Sequence, residues 1–320
     1  MVELVGSLNL ETIRAAHQRI HPYIHRTPIL TNSWLNDACR ASLFFKCENF
    51  QKVGAFKARG ATNAVFALDD ETAHRGVATH SSGNHGAAVA RAAKLRGIPA
   101  HIVMPSNSAK VKIRAVQSYG AQVVFCEPTE ESREIKCADV INETGATLIH
   151  SFENEHVIAG QGTAAMELLE DVPELDVIMC PVGGGGLLSG TAIAAKAIRP
   201  QIKVIAVEPQ NADDAAQSFR AGRRLVTEKK FTIADGLRTN IGEPNFAIVR
   251  QYVDDIVTVT EEGIVSAMRT IWETMKIVIE PSAAVSYAAI AERTIDIESK
   301  RVGIILTGGN VDLDALPWMR

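Results

Sequence analysis

The sequence lacks the features that mark secreted, membrane or nucleic-acid-binding proteins. Its five cysteines are scattered and form no CxxC pair, which is typical of reduced cytosolic thiols and not of a disulfide framework or zinc site. No apolar run reaches the roughly 18 residues of a membrane span, and no signal-like segment follows Met1. The net charge of -4 disfavours nucleic-acid or anionic-membrane partners. We therefore expect a soluble, cytoplasmic protein.

The sequence also lacks the common nucleotide-binding loops and any internal repeat. Neither GxGxxG nor GxxxxGK[ST] occurs, which disfavours NAD and the usual ATP loop. The 320 residues, 46% hydrophobic and 22% charged, are enough for one large domain or two modest ones. No long Pro/Ser linker divides the chain, so a second domain would have to be built from the same kind of units.

Short β-branched runs alternate with Ala-rich segments of helical periodicity, a pattern that predicts a parallel α/β sheet covered by helices. The predicted strands are 76–80, 100–104, 122–126, 176–182, 203–208 and 302–307. The predicted helices are 86–95, 109–119, 161–169, 187–198 and 262–275. Gly97, Gly120 and Gly145 follow helical runs, as C-terminal caps do. Ligands in such folds bind at the carboxyl ends of strands.

Four consecutive glycines, Gly183 to Gly186, lie between an apolar strand ending at Val182 and a helix beginning near Leu187. Without Cβ atoms, their backbone N–H groups can converge on an anion, and the helix N-terminus adds its positive end. A simple strand-to-helix turn needs only one or two glycines. The four together therefore predict a phosphate site.

Three further segments carry reactive or polar groups, and two of them lie at predicted strand ends. Lys57, beside Phe56, becomes a nucleophile if burial lowers its pKa, although most lysines are solvated surface groups. The segment 80–86, HSSGNHG, offers hydroxyl and amide groups suited to a carboxylate or phenolic oxygen, beyond the single residue that an ordinary N-cap needs. The segment 307–310, TGGN, either lets a flat ligand approach the backbone or forms a simple turn.

Together these motifs resemble those of the fold-type II pyridoxal-phosphate enzymes, the group that includes tryptophan synthase β. Within that group they are most similar to the serine racemase and serine/threonine dehydratase branch, from Arg26-Thr27-Pro28 to Gly309-Asn310-Val311-Asp312. The resemblance implies two open, twisted, mostly parallel sheets flanked by helices. It further implies a large cofactor-binding domain of residues 1–68 and 153–320 and a small domain of residues 76–150.

The resemblance also implies specific roles for residues. Lys57 would be the catalytic Schiff-base lysine, and Ser82 the acid/base on the opposite face. The other implied cofactor contacts are Phe56, Asn84, Gly183, Gly184, Gly185, Gly186, Leu187, Thr307 and Asn310. The implied substrate contacts are Ser81, Ser82, Asn84, His85, Arg133 and Thr239. The implied reaction eliminates water from L-serine or L-threonine, giving a 2-oxo acid and ammonia, and racemises serine when Ser82 returns the proton.

The segment 208–214, EPQNADD, resembles the divalent-cation loop of serine racemases. Glu208, Asp214 and the Ala212 carbonyl would supply hard oxygen ligands to Mg²⁺, Mn²⁺ or Ca²⁺. Without the resemblance, the same residues favour a solvated acidic turn over a metal site. The resemblance also implies a homodimer.

Departures from the branch limit what is expected. Val53 and Ala87 stand where its nucleotide-binding members carry polar residues, so ATP activation is not expected. A 3-hydroxyaspartate ammonia-lyase is the nearest competing function, with Arg238 as a candidate for the second carboxylate. A non-catalytic binding module would share the same α/β fold class. So would a nicotinamide-dependent dehydrogenase, although the missing dinucleotide motif counts against it.

Overall fold

The computed structural model describes residues 7–81, 83–108, 110–228 and 231–319, which build two sheets. In chain order the strands are β1 (Ile29–Leu30), β2 (Ser42–Cys47), β3 (Val77–His80), β4 (Ala100–Pro105), β5 (Gln122–Cys126), β6 (Thr147–Leu148), β7 (Val177–Pro181), β8 (Lys203–Pro209), β9 (Asp255–Val259) and β10 (Arg301–Leu306). One sheet has the order β1-β2-β10-β7-β8-β9 and is parallel except for β1. The other, β5-β4-β3-β6, is entirely parallel.

Helices connect most of the strands, as parallel pairing requires, because each chain crossover has to return to the same end of the sheet. They are α1 (Leu10–Ile20), α2 (Ser33–Cys39), α3 (Lys57–Ala67), α4 (Asp70–His74), α5 (Asn84–Arg96), α6 (Lys110–Ser118), α7 (Glu130–Thr144), α8 (Glu155–Asp171), α9 (Gly186–Ile198), α10 (Asp214–Ala221), α11 (Glu243–Tyr252), α12 (Glu261–Met275) and α13 (Pro281–Ala291). Along the described stretches, no helix combines the length and apolarity needed to cross a bilayer.

The six-stranded sheet is covered on both faces, which explains the continuous apolar sequence of its central strands. All five residues of β7 are buried. Ile178 and Cys180 pack in one core cluster with α8 and α9, whereas Val177 and Met179 face α12 and α13. Because successive side chains of a strand point to opposite faces of the sheet, this single strand contributes to two separate cores.

Glycines let three helices approach closely at the side of this sheet. A Cβ on Gly160 of α8 would lie 2.6 Å from the Cα of Gly60 in α3. A Cβ on Gly190 of α9 would lie 2.6 Å from the backbone nitrogen of Gly162 in α8. Any side chain at these crossings would force the helices apart, so α3, α8 and α9 form one tightly packed group.

The predicted α/β class is confirmed, and the six predicted strands all exist with shifts of about one residue. Gly97, Gly120 and Gly145 all have positive φ, which fits the predicted caps. The helix predicted at 161–169 begins earlier, at Glu155, because the Asn154 side chain accepts a hydrogen bond from the backbone of Val157 and caps it. The predicted helix start at Ala109 lies outside the described residues.

Some elements were missed, among them β2, β9, α3 and α13. Strands β3 to β6 all lie between residues 77 and 148, so the four-stranded sheet falls within the segment 76–150. Helix α3 packs against both α8 and α5. The division into two domains stays a prediction.

Candidate active site

Lys57 is the first residue of α3 and lies at the carboxyl end of the six-stranded sheet. The preceding residue, Phe56, donates its backbone N–H to the carbonyl of Thr307, directly after β10, at 2.9 Å. The Lys57 Nζ donates to the carbonyl of Ser151 at 2.9 Å and lies 5.1 Å from the centre of the Phe56 ring. Burial lowers the pKa of Lys57 to about 8. About a tenth of this amine is therefore neutral and nucleophilic at pH 7, far more than for a lysine of ordinary pKa.

The glycine loop, Gly183 to Gly186, leads from β7 into α9, and all four residues are buried. A Cβ on Gly184 would lie 2.2 Å from the ring of Phe152, and Gly185 has a φ of 92°. Larger residues are thus excluded by both packing and backbone conformation. Among the described residues, the N–H groups of Gly184 and Gly185 have no hydrogen-bond acceptor. Buried donors of this kind fit an anion at a helix N-terminus.

Asn84 begins α5, after β3 of the four-stranded sheet, and meets residues that precede α13 and follow β10 of the six-stranded sheet. Its Nδ2 donates to the Glu280 carboxylate at 2.9 Å, and its Oδ1 accepts from Asn310 Nδ2 at 2.9 Å. The same Asn310 nitrogen donates to the carbonyl of Val53 at 2.7 Å. The structure therefore brings together Asn84 and Asn310, two predicted cofactor contacts, and fixes the orientation of both amides.

Thr307 follows β10, and its hydroxyl faces the interior. Its Oγ1 is buried and has no hydrogen-bond partner among the described atoms. A buried hydroxyl without a partner is uncommon, and a ring nitrogen of a ligand would satisfy it. Thr307 is one of the cofactor contacts that the sequence resemblance implied.

Glu280 was not identified from the sequence, although it lies at the centre of this cluster. Its side chain is buried between Asn84 and Gly308, and its backbone N–H donates to the Gly308 carbonyl at 3.0 Å. Burial, followed by the charge of Asp235, raises the pKa of the Glu280 carboxyl to about 7. In sequence, a glutamate before Pro281 signals only a helix start.

This raised pKa predicts a specific pH dependence for Glu280→Gln. Because folding favours the protonated carboxyl, its contribution weakens as pH rises from the unfolded value near 4.5 through about 7. The wild-type apoprotein should lose on the order of 1–3 kcal/mol between pH 5 and pH 8 from this group, and Glu280→Gln should not. Urea unfolding at both pH values measures the difference, with exposed Glu262→Gln as control. Identical pH dependence in wild type and Glu280→Gln would contradict the assignment.

Three histidines surround the end of β3. His85, a predicted substrate contact, is buried with its Nε2 bonded to the Ile149 carbonyl at 2.9 Å, and burial followed by the Lys57 charge lowers its pKa to about 3. Burial also lowers the pKa of His150 to about 4. The His150 ring lies 5.9 Å from that of His80. These imidazoles are neutral near pH 7 and act as hydrogen-bonding groups, not as cations.

The remaining predicted substrate contacts are placed less directly. The Ser81 Oγ accepts a hydrogen bond from the Gly83 N–H at 3.3 Å. Ser82, the predicted second catalytic residue, lies outside the described residues. Arg133 bonds to the Thr129 carbonyl in its own helix, but its charge contributes to a lowered pKa of His80, after burial, so it lies on the His80 side of the site.

Residues 235–239 pack against the glycine loop. A Cβ on Gly183 would lie 3.4 Å from the Thr239 Oγ1, which places this predicted substrate contact at the loop. Arg238, the candidate for a second carboxylate, instead donates to the Thr232 carbonyl at 2.7 Å and lies over the ring of Phe231. Its guanidinium is thus held by the residues that shortly precede it in the chain.

The predicted metal ligands are buried at the end of β8. Glu208 accepts from the backbone N–H groups of Ala215 and Ala216 at 3.1 and 2.9 Å. Asp214 accepts from the Ile241 N–H at 2.7 Å. Both carboxylates are fully buried, which rules out a solvated acidic turn. Within the described part of the chain, no three His, Cys, Asp or Glu side chains cluster as metal ligands, so a cation here would need carbonyl and water ligands too.

Comparison with known proteins gives consistent matches. The model of the family described as pyridoxal-phosphate dependent enzyme matches residues 20–308. A serine racemase of Oryza sativa subsp. indica is 50% identical over 313 residues, 96% of this chain and 92% of that protein. A β-hydroxyaspartate dehydratase of Paracoccus denitrificans is 50% identical over 308 residues, 96% of this chain and 98% of that protein. The structure of maize serine racemase superposes with a TM-score of 0.94 at 49% identity, covering 98% and 96% of the two chains. The resemblance drawn from the motifs is confirmed.

Proposed function

We propose that this chain, which belongs to the family of pyridoxal-phosphate dependent enzymes, eliminates water from L-serine or L-threonine and also racemises serine. The products of elimination are a 2-oxo acid and ammonia. The observation that supports this most is the buried amine of Lys57, with its lowered pKa, at the strand ends that also carry the glycine loop. The serine racemase and dehydratase relatives support the substrate class.

The described residues fit pyridoxal phosphate. The unpartnered N–H groups of the glycine loop suit its phosphate, and the unpartnered Thr307 hydroxyl suits its ring nitrogen. Asn84 would contact the phenolic oxygen, while Phe56 and Leu187 would supply apolar contacts. Lys57 would hold the cofactor in the absence of substrate; with an amino acid bound in its place, the cofactor would supply an electron sink that makes the substrate Cα–H acidic.

The residues of the chain then handle the proton. The Lys57 Nζ takes the Cα proton on its own face, and a pKa of about 8 lets it both accept and return that proton near neutral pH. Ser82 would deliver a proton to the opposite face, which gives the other enantiomer. Ser81, Asn84, His85, Arg133 and Thr239 would hold the substrate's carboxylate and polar groups. Elimination and racemisation thus share one set of residues.

The direct test supplies purified, cofactor-loaded protein with L-serine, D-serine, L-threonine and the 3-hydroxyaspartate isomers in separate reactions. Ammonia, 2-oxo acid and enantiomer content are measured. Pyruvate or 2-oxobutanoate, together with D-serine formed from L-serine, is the expected result. Oxaloacetate from hydroxyaspartate alone would replace the proposal with a 3-hydroxyaspartate ammonia-lyase.

The 3-hydroxyaspartate ammonia-lyase is favoured by the 50% identity to a β-hydroxyaspartate dehydratase. It requires a cation for the second carboxylate. The engagement of Arg238 by Thr232 counts against that residue as the cation. Activity on hydroxyaspartate that far exceeds activity on serine and is lost in Arg238→Ala would nevertheless assign it this role.

The assignment of Ser82 predicts a selective loss. Ser82→Ala should lower racemisation of L-serine by about 100-fold or more, the scale of one positioned proton donor, while elimination of L-serine survives because Lys57 acts on the other face. Chiral analysis of serine and a pyruvate assay on the same samples measure both rates. An equal loss of both activities would remove this role.

We further propose that Glu208, Asp214 and the Ala212 carbonyl hold a divalent cation, Mg²⁺, Mn²⁺ or Ca²⁺. The support is the burial of two carboxylates, one at the end of β8 and one at the start of α10, since hard oxygen ligands suit these ions. A chelator should lower the melting temperature of the wild type by several degrees, following the loss of a bound ligand. Asp214→Asn should no longer respond, whereas Asp213→Asn should respond like the wild type. A wild type insensitive to chelator would contradict the site.

The remaining expectations are a homodimer in the cytoplasm without ATP activation. The scattered cysteines support the location, and the resemblance to serine racemases supports the dimer. Val53 and Ala87 are the residues that count against a nucleotide effector.

A further inference from the structure

Asn245, in the first turn of α11, is fully buried against the glycine loop. Its Nδ2 donates to the carbonyl of Gly184 at 2.9 Å and to that of Phe152 at 2.9 Å. Its Oδ1 accepts from the Ser189 hydroxyl at 3.0 Å. A reversed amide would set an oxygen against two carbonyl oxygens, so only one orientation is compatible with these neighbours.

This orientation determines where the loop's donors point. The Gly184 carbonyl is held towards α11 by Asn245 and by the Gly242 N–H at 3.1 Å. Because the peptide unit is planar and trans, the N–H of Gly185 must point in the opposite direction. That N–H is one of the buried donors with no acceptor among the described residues. The side chain of Asn245 therefore aims a loop donor without touching the space in front of it.

The hydrogen bond from Asn245 to the Phe152 carbonyl connects the same amide to the segment that contacts Lys57. The Phe152 ring packs directly on Gly184, and the preceding carbonyl, that of Ser151, accepts from the Lys57 Nζ. Asn245 thus spans the two segments between which a phosphate-bearing ligand of Lys57 would lie.

We propose that Asn245 is a positioning residue that sets the glycine loop for the cofactor's phosphate group. This inference rests on the proposed role of the loop. It assigns no contact between Asn245 and the cofactor; the side chain acts through the Gly184–Gly185 peptide. Neither the spacing nor the composition of the sequence identifies it, because Asn245 is 61 residues from Gly184.

The test compares pyridoxal phosphate with pyridoxal, which lacks the phosphate but keeps the aldehyde. Dissociation constants are measured by equilibrium dialysis for wild type, Asn245→Ala and Asn245→Asp. We expect Asn245→Ala to weaken pyridoxal phosphate binding about 10- to 100-fold, which is the effect of lost buried hydrogen bonds. The same substitution should weaken pyridoxal binding by less than about threefold. Asn245→Asp should weaken phosphate-form binding further, because it adds a negative charge at the loop.

The matched control is Asn63→Ala. Asn63 is also a buried amide, bonded to the His156 carbonyl and to Arg19, but it does not touch the glycine loop. It should lower the melting temperature of the apoprotein without changing either dissociation constant. If Asn245→Ala does not fold, Ser189→Ala can replace it, because it removes only the hydrogen bond to the Asn245 Oδ1. It should also weaken pyridoxal phosphate binding more than pyridoxal binding, but by a smaller factor.

Unchanged pyridoxal phosphate affinity in Asn245→Ala, or equal weakening of both ligands, would overturn the positioning role. Suppose that the wild type binds pyridoxal phosphate more tightly than pyridoxal, and that Asn245→Ala binds pyridoxal phosphate as tightly as the wild type does. That result would refute only the positioning role of Asn245. A wild type that does not distinguish the two ligands would refute the phosphate role of the loop itself, and the inference with it.

Discussion

Lys57→Ala should lower turnover by at least about 1,000-fold, since in the proposed mechanism one amine would both bind the cofactor and move the Cα proton. The visible absorption band of the lysine-bound cofactor should disappear as well. Stability should not fall with activity, because a buried amine whose pKa is lowered to about 8 opposes folding when protonated. Steady-state kinetics, an absorption spectrum and thermal unfolding of the same preparation measure all three effects.

Two variants make this result specific to Lys57. Lys94→Ala removes an exposed lysine on α5 and should change neither the spectrum nor the rate. Lys57→Arg keeps the charge but cannot form the covalent link, and it should be as inactive as alanine. Residual turnover above about one hundredth of the wild type in Lys57→Ala would contradict the assigned role.

Arg59→Met should cause the largest loss of stability, about 3–5 kcal/mol, by breaking a buried ion network. Arg59 is fully buried and bonds to Glu48 at 2.7 and 2.8 Å and to Glu167 at 2.8 Å. Lys46 completes the network with a 2.7 Å bond to Glu167. Two cations thus balance two carboxylates, and removing Arg59 leaves an uncompensated negative charge inside the protein.

The pH dependence of the loss distinguishes lost charge pairing from lost packing. Burial alone would raise the pKa of Glu167, but its bonds to Arg59 and Lys46 hold that pKa below its usual value. Without Arg59 a carboxyl can take up a proton as pH falls, so the deficit of Arg59→Met should shrink from pH 7.5 to pH 5. Adding Glu48→Gln should restore part of the stability. A pH-independent loss below about 1 kcal/mol would contradict the charge argument.

The features that could be predicted from the sequence are those whose chemistry lies in consecutive residues. The glycine loop and the polar segment around Asn84 each form a local pattern at a strand end, and the motif around Lys57 is likewise made of consecutive residues. Strands β7 and β10 were predicted because both faces of the sheet are covered and their sequences are free of polar side chains, except for Arg301 at the start of β10. Local signals of this kind need no knowledge of distant contacts.

The rest could not be predicted because it depends on distant residues. Strand β2 contains Lys46, a charge in an apolar core, which is satisfied by Glu167 at a separation of 121 residues. Glu280 reaches Asn84 across 196 residues. In a sequence, a lysine and a glutamate such as these look like ordinary surface residues, because only the fold brings their partners to them.

The glycine crossings of α3, α8 and α9 have a mechanical consequence. Lys57 begins α3 and the glycine loop opens α9, so both ends of the cofactor site are carried by one block that cannot shear without steric overlap. His85 and Arg133 are instead carried by helices of the four-stranded sheet. If the predicted division into two domains lets that sheet move, the proposed substrate contacts would shift with it, while Lys57 and the glycine loop would keep their separation.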